Sequence, residues 1–291
     1  MKIGLVLPVF SGSASTVMGF AASAVALGYD GLFAADHLFP PMGPTSPSQE
    51  AFTTLSAVAA RHPGVTVGTL VTRVSLRPAG MLAKQAAALD QMSGGNAVIA
   101  LGTGDKVSIP EHETFGLPFA PIAERRVRLE ETILALKELF AGRPWRGGAQ
   151  VAAVPGPLLP PPVRPGGPPL WVGGVADAAV DLAARVADGW NGWGLDAEAF
   201  EAKTERLHAG DREVQATWGG IAVIGEDSDD LAGLLQRRAD RGLSAGDAWT
   251  GTAEDLRRFA DRLAAAGCAW AIFLPGGPAD RLELIARTLL P

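Results

Sequence analysis

The sequence predicts an α/β fold, a (βα)8 TIM barrel, and three observations support this. Short apolar runs alternate with helical patterns from one end of the chain to the other. The runs are continuously apolar, as in the strands of a parallel sheet that is covered on both faces. Eight such runs occur, which is the strand number of a closed barrel. A doubly wound open sheet is the alternative, but no Gly-x-Gly-x-x-Gly pattern follows the first run.

The predicted elements follow each other in strict order. Strands are predicted at 3–9, 31–34, 65–71, 97–101, 170–173, 189–191, 220–224 and 269–274. Helices are predicted near 15–28, 48–61, 78–93, 121–141, 175–187, 196–209, 228–241, 253–266 and 278–289. Apolar residues at steps of three and four support the helices. Thr252 and Asp255 form a capping-box pattern at the start of one helix.

Two proline-rich segments interrupt this alternation. Residues 38–48 follow the second strand, and residues 154–169 precede the fifth. A domain linker is the simpler interpretation of the second segment. Because neither half of the chain forms a complete barrel alone, we instead predict one domain, 1–291, with two insertions lying over the barrel. We expect these insertions to exclude water from a pocket at the barrel mouth.

Composition and charge exclude several classes of protein. The 291 residues are 47% hydrophobic, enough for a large core, and 25 Lys and Arg against 31 Asp and Glu give a net charge of −6. That balance argues against nucleic-acid binding, and no apolar stretch approaches the ~20 residues of a membrane span. Cys268 is the only cysteine, so no internal disulfide forms and a cytoplasmic location is expected. Pro8 and Gly12 interrupt an N-terminal run that otherwise mimics a secretory signal.

Small, polar and acidic residues collect where predicted strands end. They are Asp36-His37, Leu70-Val71-Thr72, Thr103-Gly104-Asp105 and Gly173-Gly174-Val175. Because α/β barrels build their active sites at the carboxyl ends of the strands, this pattern predicts an enzyme. No group of residues has the spacing of a metal site.

Several segments resemble the luciferase-like flavin enzymes. They are GYDGLFAADH, GTLVTRVSLRPAGMLAKQAAALDQMSGGNAVIALGTGD, PPLWVGG, AARVADGWNGW and TGTAEDLRRFADRLAAAG. The resemblance covers nearly the whole chain and implies a barrel that binds flavin mononucleotide (FMN) or the deazaflavin coenzyme F420 at its mouth. Asp36-His37 is similar to the Ser-Asp-His element of the deazaflavin-dependent branch, with Ala35 in place of the serine.

The resemblance also implies roles for individual residues. Asp36, His37 and Asp105 would be catalytic, although many relatives have Glu where Asp105 stands. The coenzyme would contact Leu70, Val71, Thr72, Thr103, Gly104, Ser108, Gly173, Gly174 and Val175. A non-proline cis peptide is implied at Leu70–Val71. The structural alternatives are that Asp36 and Asp105 cap turns and that the other residues belong to buried strands and ordinary turns.

The start of the fifth helix is a candidate phosphate site. Free amides and the positive end of the helix dipole follow Gly173-Gly174. Relatives often carry a nearby arginine in this helix, whereas Ala176-Asp177-Ala178-Ala179 stands here, so the anion would rely on the amides or on Arg73 or Arg77. Trp190 and Trp193 are predicted either to line the substrate cavity or to pack in the core.

The function predicted from these residues is that of a coenzyme F420-dependent oxidoreductase. It would transfer a hydride between the deazaflavin and a small organic substrate, with His37 moving a proton. The alternatives are an FMN-dependent monooxygenase, a flavin-binding barrel without catalysis and an isomerase of a phosphorylated metabolite. Sugar-phosphate-oxidising relatives carry a Trp shortly after the Asp-His pair, whereas Leu38-Phe39-Pro40 follows here, which favours an apolar ketone, alcohol or alkene. A homodimer is expected because relatives are often dimers.

Overall fold

The chain closes into a ring of parallel strands with helices on the outside. The computed structural model describes residues 1–40, 43 and 46–291. Its strands are β1 (Lys2–Val6), β2 (Gly31–Ala34), β3 (Thr66–Arg73), β4 (Ala97–Gly102), β5 (Leu170–Gly173), β6 (Gly189–Trp193), β7 (Gln215–Gly225), β8 (Trp249–Thr252) and β9 (Cys268–Gly276). Its helices are α1 (Ala14–Ala26), α2 (Ala51–Arg61), α3 (Ala79–Met92), α4 (Ile109–Thr114), α5 (Ile122–Phe140), α6 (Asp177–Val186), α7 (Ala197–Leu207), α8 (Ser228–Asp240), α9 (Ala253–Ala265) and α10 (Arg281–Leu289).

Strand pairing confirms the predicted barrel. Strands β1 to β7 pair in parallel with their sequence neighbours, and β9 closes the ring by pairing with both β7 and β1. The eighth predicted strand is therefore β9. The short strand β8 was not predicted; within the described residues it pairs with β7 alone, where Ala222 stands opposite Trp249. It lengthens one side of the sheet without entering the ring.

Aromatic side chains fill the inside of the ring. The Phe33 ring packs edge-on against Trp270 and stacks with Trp171, at centroid distances of 5.5 and 6.0 Å. A Cβ atom on Gly68 would lie 2.8 Å from the carbonyl oxygen of Val98, so this position accepts only glycine without a shift of the backbone. Because side chains fill the interior, the barrel is a packed core and open space occurs only at its ends.

The second proline-rich segment runs outside the barrel. Between α5 and β5 the chain runs along α3, from the start of that helix to its end. Val154 packs near Gly80 at the start of α3. At the end of α3, Gln91 donates to the carbonyl of Pro161 at 2.7 Å, and the amide of Arg164 donates to Asp90 at 2.9 Å. Helix α5 ends, and β5 begins, at the amino end of the strands. The segment that joins them therefore begins and ends at the amino end of the barrel, away from the carboxyl ends of the strands. The insertion itself is confirmed, but the expectation that it excludes water from a pocket at the barrel mouth was wrong, because none of residues 154–169 lines the cavity there.

The first proline-rich segment leaves β2 at the carboxyl end of the barrel. It directly follows the site residues Asp36 and His37, and Ser48 Oγ donates to the carbonyl oxygen of His37 at 3.0 Å. Pro41 and Pro44 lie outside the described residues. The stretch after β4, where no element was predicted before residue 121, contains a turn of 3-10 helix and the short helix α4.

Helix α9 begins with the end signal that the sequence predicts. The hydroxyl of Thr252 accepts from the amide of Asp255, whose carboxylate accepts in return from the amide of Thr252, which confirms the predicted capping box. Across the described ranges, no helix combines the length and apolar character that crossing a membrane requires.

Candidate active site

A cavity of about 540 Å³ opens at the carboxyl end of the barrel. Ten of the residues predicted from the sequence lie on its wall: His37, Leu70, Val71, Thr103, Gly104, Asp105, Ser108, Gly173, Gly174 and Val175. Apolar residues of β1, of the loop after it and of β9 complete most of the remaining wall, among them Val9, Phe10 and Leu274. The cavity thus has an apolar wall with a small number of polar groups, which is typical of small-molecule sites.

His37 is the imidazole of this wall, and Glu111 holds it. The Nδ1 atom of His37 lies 2.6 Å from Oε1 of Glu111. The other oxygen of Glu111 accepts from the amide of Leu38 and from Nη2 of Arg73, both at 2.6 Å. Burial alone would raise the pKa of Glu111, but the hydrogen bonds from His37 and Leu38 and the nearby charges of His37 and Arg73 lower it to about 2. Glu111 is therefore an ionised, fully buried carboxylate.

Asp36, the neighbour of His37, points elsewhere. Its carboxylate binds the guanidinium of Arg77 with two hydrogen bonds, of 2.6 and 3.0 Å, and only 2% of the residue is exposed. Adjacent residues of an extended chain project in opposite directions, which explains why His37 lies on the cavity wall and Asp36 does not. The structure thus differs from the expectation that Asp36 faces a bound coenzyme.

The end of β4 supplies an acidic group that solvent reaches. Asp105 is exposed on the wall, and one of its carboxylate oxygens accepts from Ser108 Oγ at 3.2 Å. Arg125 of α5 fixes the preceding turn by donating to the carbonyl oxygens of Thr103 and Gly104. This arrangement brings Asp105 and His37 to the same cavity, as the sequence predicts.

Val71 forms part of the floor between two glycines. The Leu70–Val71 peptide is cis, as the resemblance implies, and the pairing of β3 with β4 shifts between Thr69 and Thr72. A Cβ atom on Gly102 would lie 2.7 Å from Cγ2 of Val71, and one on Gly173 would lie 2.5 Å from Cγ1. The two glycines therefore give the Val71 side chain its place. Thr72, predicted to contact the coenzyme, is fully buried and off the wall.

A second cavity, of about 450 Å³, adjoins the first at the start of α6. The two share Thr103, Gly173, Gly174 and Val175, and α5 and α6 form the rest of the second wall. No side chain caps α6, so the first turn of this helix offers free amides. The expected cationic partners were wrong, because Glu111 engages Arg73 and Asp36 engages Arg77. Arg126 and Arg185 line this cavity instead.

The two tryptophans of β6 lie in different surroundings. Trp190 is fully buried, stacks with Phe200 and donates from Nε1 to the carbonyl oxygen of Gly174 at 2.7 Å. Trp193 is on the cavity wall with 37% of its surface exposed. One therefore supports the glycine turn from the core, and the other is available to a ligand.

Sequence reasoning missed the charged residues behind the wall. Glu111 and Arg125 both come from helices, where a charged residue is normally solvent-exposed. The only signal for Glu111 was its place shortly after the acidic strand end at Asp105. Its partners, His37 and Arg73, are far from it in sequence.

Comparison with known proteins agrees with this geometry. The family described as luciferase-like monooxygenase matches residues 1–269 of the chain. The chain is 28% identical to the F420-dependent glucose-6-phosphate dehydrogenase of Microbacterium testaceum (strain StLB037) over 292 aligned residues, which cover 93% of this chain and 83% of the relative.

Two solved structures share the fold. An F420-dependent secondary alcohol dehydrogenase in complex with an F420-acetone adduct superposes with a TM-score of 0.83 at 16% identity, covering 99% of this chain and 98% of that one. The coenzyme F420-dependent tetrahydromethanopterin reductase of Methanopyrus kandleri superposes with a TM-score of 0.82 at 17% identity, covering 100% and 98%. At these identities the likeness establishes the barrel architecture.

Proposed function

This chain belongs to the luciferase-like monooxygenase family, and we propose that it is a coenzyme F420-dependent oxidoreductase of a small apolar alcohol or ketone. The chain is an oxidoreductase, as the sequence predicts. The observation that carries the finer proposal is His37, a single imidazole on the wall of a largely apolar cavity, with its Nδ1 atom bound to Glu111.

The residues present fit a flat ring with a phosphate arm. Gly102, Gly104 and Gly173 keep Cβ atoms off the cavity wall, and Val71 fills the space that Gly102 and Gly173 leave. Nη1 of Arg73 is buried on this wall and has no hydrogen-bond partner among the described residues, so an acceptor atom of a bound ring would satisfy it. The adjoining cavity, with the uncapped start of α6 and Arg126, suits a phosphate.

His37 would handle the proton of the reaction. Coenzyme F420, when bound, supplies a carbon that accepts or releases a hydride. Oxidation of an alcohol removes a hydride from its carbon and a proton from its oxygen, and Nε2 of His37 takes that proton. In the reverse direction His37 returns the proton to the carbonyl oxygen. Asp105, on the same wall, adds a carboxyl group that a ligand can reach.

The cavity wall favours an apolar substrate over a sugar phosphate. Phe10, Trp193 and Leu274 contribute apolar surface, and Glu111 neutralises Arg73. The relative from Microbacterium testaceum is named for glucose 6-phosphate, whereas the secondary alcohol dehydrogenase that shares the fold holds an acetone adduct. We favour the second substrate class, because Leu38 and Phe39 follow His37 where sugar-phosphate-oxidising relatives carry a Trp.

Coenzyme titration tests this proposal. The apoprotein is titrated separately with F420 and with FMN while the emission of its seven tryptophans is followed. We expect micromolar binding of F420 and much weaker binding of FMN. Micromolar binding of FMN alone would overturn the proposal in favour of an oxygen-using monooxygenase, which the family description also allows.

A turnover assay then tests substrate class and catalysis. The absorbance of F420 is followed with 2-propanol, cyclohexanol and glucose 6-phosphate, in the wild type and in His37→Ala. We expect reduction of F420 by a secondary alcohol, and loss of at least about 100-fold in kcat in the variant. Binding of F420 with no turnover for any substrate would favour a non-catalytic flavin-binding barrel. A homodimer remains a prediction that light scattering of the same sample can check.

A further inference from the structure

A chain of three charged or ionisable groups runs from the cavity wall into the protein, with Glu111 behind the wall and joined to His37 and Arg73 on it. Arg73 comes from β3, Glu111 from α4 and His37 from the loop after β2, and each adjacent pair is joined at 2.6 Å. Arg73 is 3% exposed and Glu111 is not exposed at all. Water therefore does not compete for the bond between Arg73 and Glu111. Three elements converge to hold one imidazole.

The partners of Glu111 fix which nitrogen of His37 carries a proton. An ionised carboxylate has acceptors and no donor. Its Oε2 atom is already engaged by the Leu38 amide and by Arg73, and its Oε1 atom faces Nδ1 of His37. Nδ1 must therefore be the donor in this bond. In the neutral ring this leaves Nε2 unprotonated, as a proton acceptor.

The ring is also held in orientation. Phe10 packs edge-on against the His37 ring, with the centroids 5.9 Å apart and the planes at 67°. Both residues line the cavity. One edge of the imidazole is tied to Glu111, and 25% of the side chain remains exposed. Glu111 does not line the cavity, so it acts on a ligand only through His37.

We propose that Glu111, clamped by Arg73 and the Leu38 amide, is a positioning residue that keeps His37 in the Nδ1–H tautomer and presents Nε2 as the proton acceptor for a hydroxyl substrate. This inference rests on the proposed function for its catalytic consequence. Its structural content, which nitrogen carries the proton, is independent of turnover.

The variant Glu111→Gln should move the proton of the neutral His37 ring from Nδ1 to Nε2. The Gln amide keeps the shape of Glu but has one acceptor oxygen and one donor group. Two obligatory donors, Arg73 and the Leu38 amide, face the Oε2 position, so the amide oxygen turns to them and its NH2 group faces His37. Nδ1 then becomes an acceptor, and the proton moves to Nε2.

Nitrogen NMR of the four histidines reads this directly. The protein is labelled with 15N-histidine, and long-range proton–nitrogen spectra are recorded in mildly alkaline buffer, with His37→Gln identifying the signal. We expect the wild type to show a protonated Nδ1 and an unprotonated Nε2, and Glu111→Gln to show the reverse. Glu113→Gln, an exposed change on the same helix, is the matched control and should leave the spectrum unchanged.

Kinetics give the second readout. In Glu111→Gln we expect kcat for the alcohol to fall about 100-fold while KM and the dissociation constant of F420 change by less than about twofold. A wild-type His37 protonated at Nε2 overturns the inference without any variant, so a variant that fails to fold does not leave it untested. A variant that keeps the Nδ1–H form also overturns it. Absence of turnover in the wild type contradicts the proposed function, while the tautomer measurement still decides this inference.

Discussion

Cγ1 of Val71 lies 2.5 Å from the position that a Cβ atom on Gly173 would occupy. The side chain from β3 thus fills the space that glycine leaves at the end of β5, on the floor of the cavity. A β-branched side chain has little rotamer freedom to move away. The contact ties the shape of the floor to one pair of residues.

Gly173→Ala should therefore distort the floor. Overpacking of this kind costs about 1–3 kcal/mol in the free energy of unfolding, and we expect F420 affinity to fall at least about tenfold as Val71 is displaced. Adding Val71→Ala should restore much of both losses. Gly19→Ala on the exposed face of α1, where an added Cβ meets nothing within 4 Å, is the control and should be neutral or stabilising. Unchanged stability and binding in Gly173→Ala would contradict the packing described.

Asp36 and Asp105 should respond differently to the same chemical change. Asp36→Asn leaves the guanidinium of Arg77 without its buried carboxylate partner, and breaking such a pair costs about 3–5 kcal/mol. Asp105→Asn is exposed and should change unfolding by no more than about 0.5 kcal/mol, while lowering turnover. Urea denaturation and the F420 assay measure the two effects. An Asp36→Asn variant that is as stable as the wild type but inactive would contradict this prediction and support a catalytic role for Asp36.

Arg126 should contribute to coenzyme affinity through the second cavity. Arg126→Gln removes a cation near the uncapped start of α6, and we expect F420 to bind about fivefold to tenfold more weakly, as for one charge-assisted contact to phosphate. The wild-type affinity should also depend more steeply on salt than that of the variant. Arg257→Gln, on the exposed surface of α9, is the matched control. Equal affinity in both variants would place the phosphate elsewhere.

The Glu111 carboxylate should make the fold sensitive to acid. Its folded pKa of about 2 lies below its ordinary value of 4.5, so its ionised form stabilises the fold above pH 4.5, and this contribution disappears as the pH falls toward 2. The shift corresponds to about 3 kcal/mol. Urea unfolding of the wild type and of Glu111→Gln over this range should therefore converge, with the wild type losing more stability on acidification. Parallel pH profiles for the two proteins would contradict it.

The barrel could be predicted from the sequence because its signals are local. The apolar run from Ala97 to Leu101 and the glycines after it report a buried strand and its end without reference to any other part of the chain. The short strand β8 escaped prediction because its four residues include exposed Thr250, and only pairing with β7 makes them a strand.

The site could be predicted only in part. His37 and Asp105 stand at strand ends, and the barrel geometry brings such ends together. Arg77, the partner of Asp36, lies 41 residues further along the chain, and Glu111, the partner of His37, lies 74 residues further. No local sequence pattern can show contacts between residues so far apart. The same holds for the proline-rich segment before β5, because composition indicates that it is not a helix or strand but not the side of the barrel on which it runs.

Ring closure between β1 and β9 has a consequence for synthesis. Leu5 pairs with Phe273, so the first strand of the barrel to leave the ribosome waits for the last one. A nascent or truncated chain that stops before Cys268 leaves β1 and the inner part of β7 as open edges, and unpaired edges promote aggregation. Those edges stay open until the final strand has been synthesised and pairs with both.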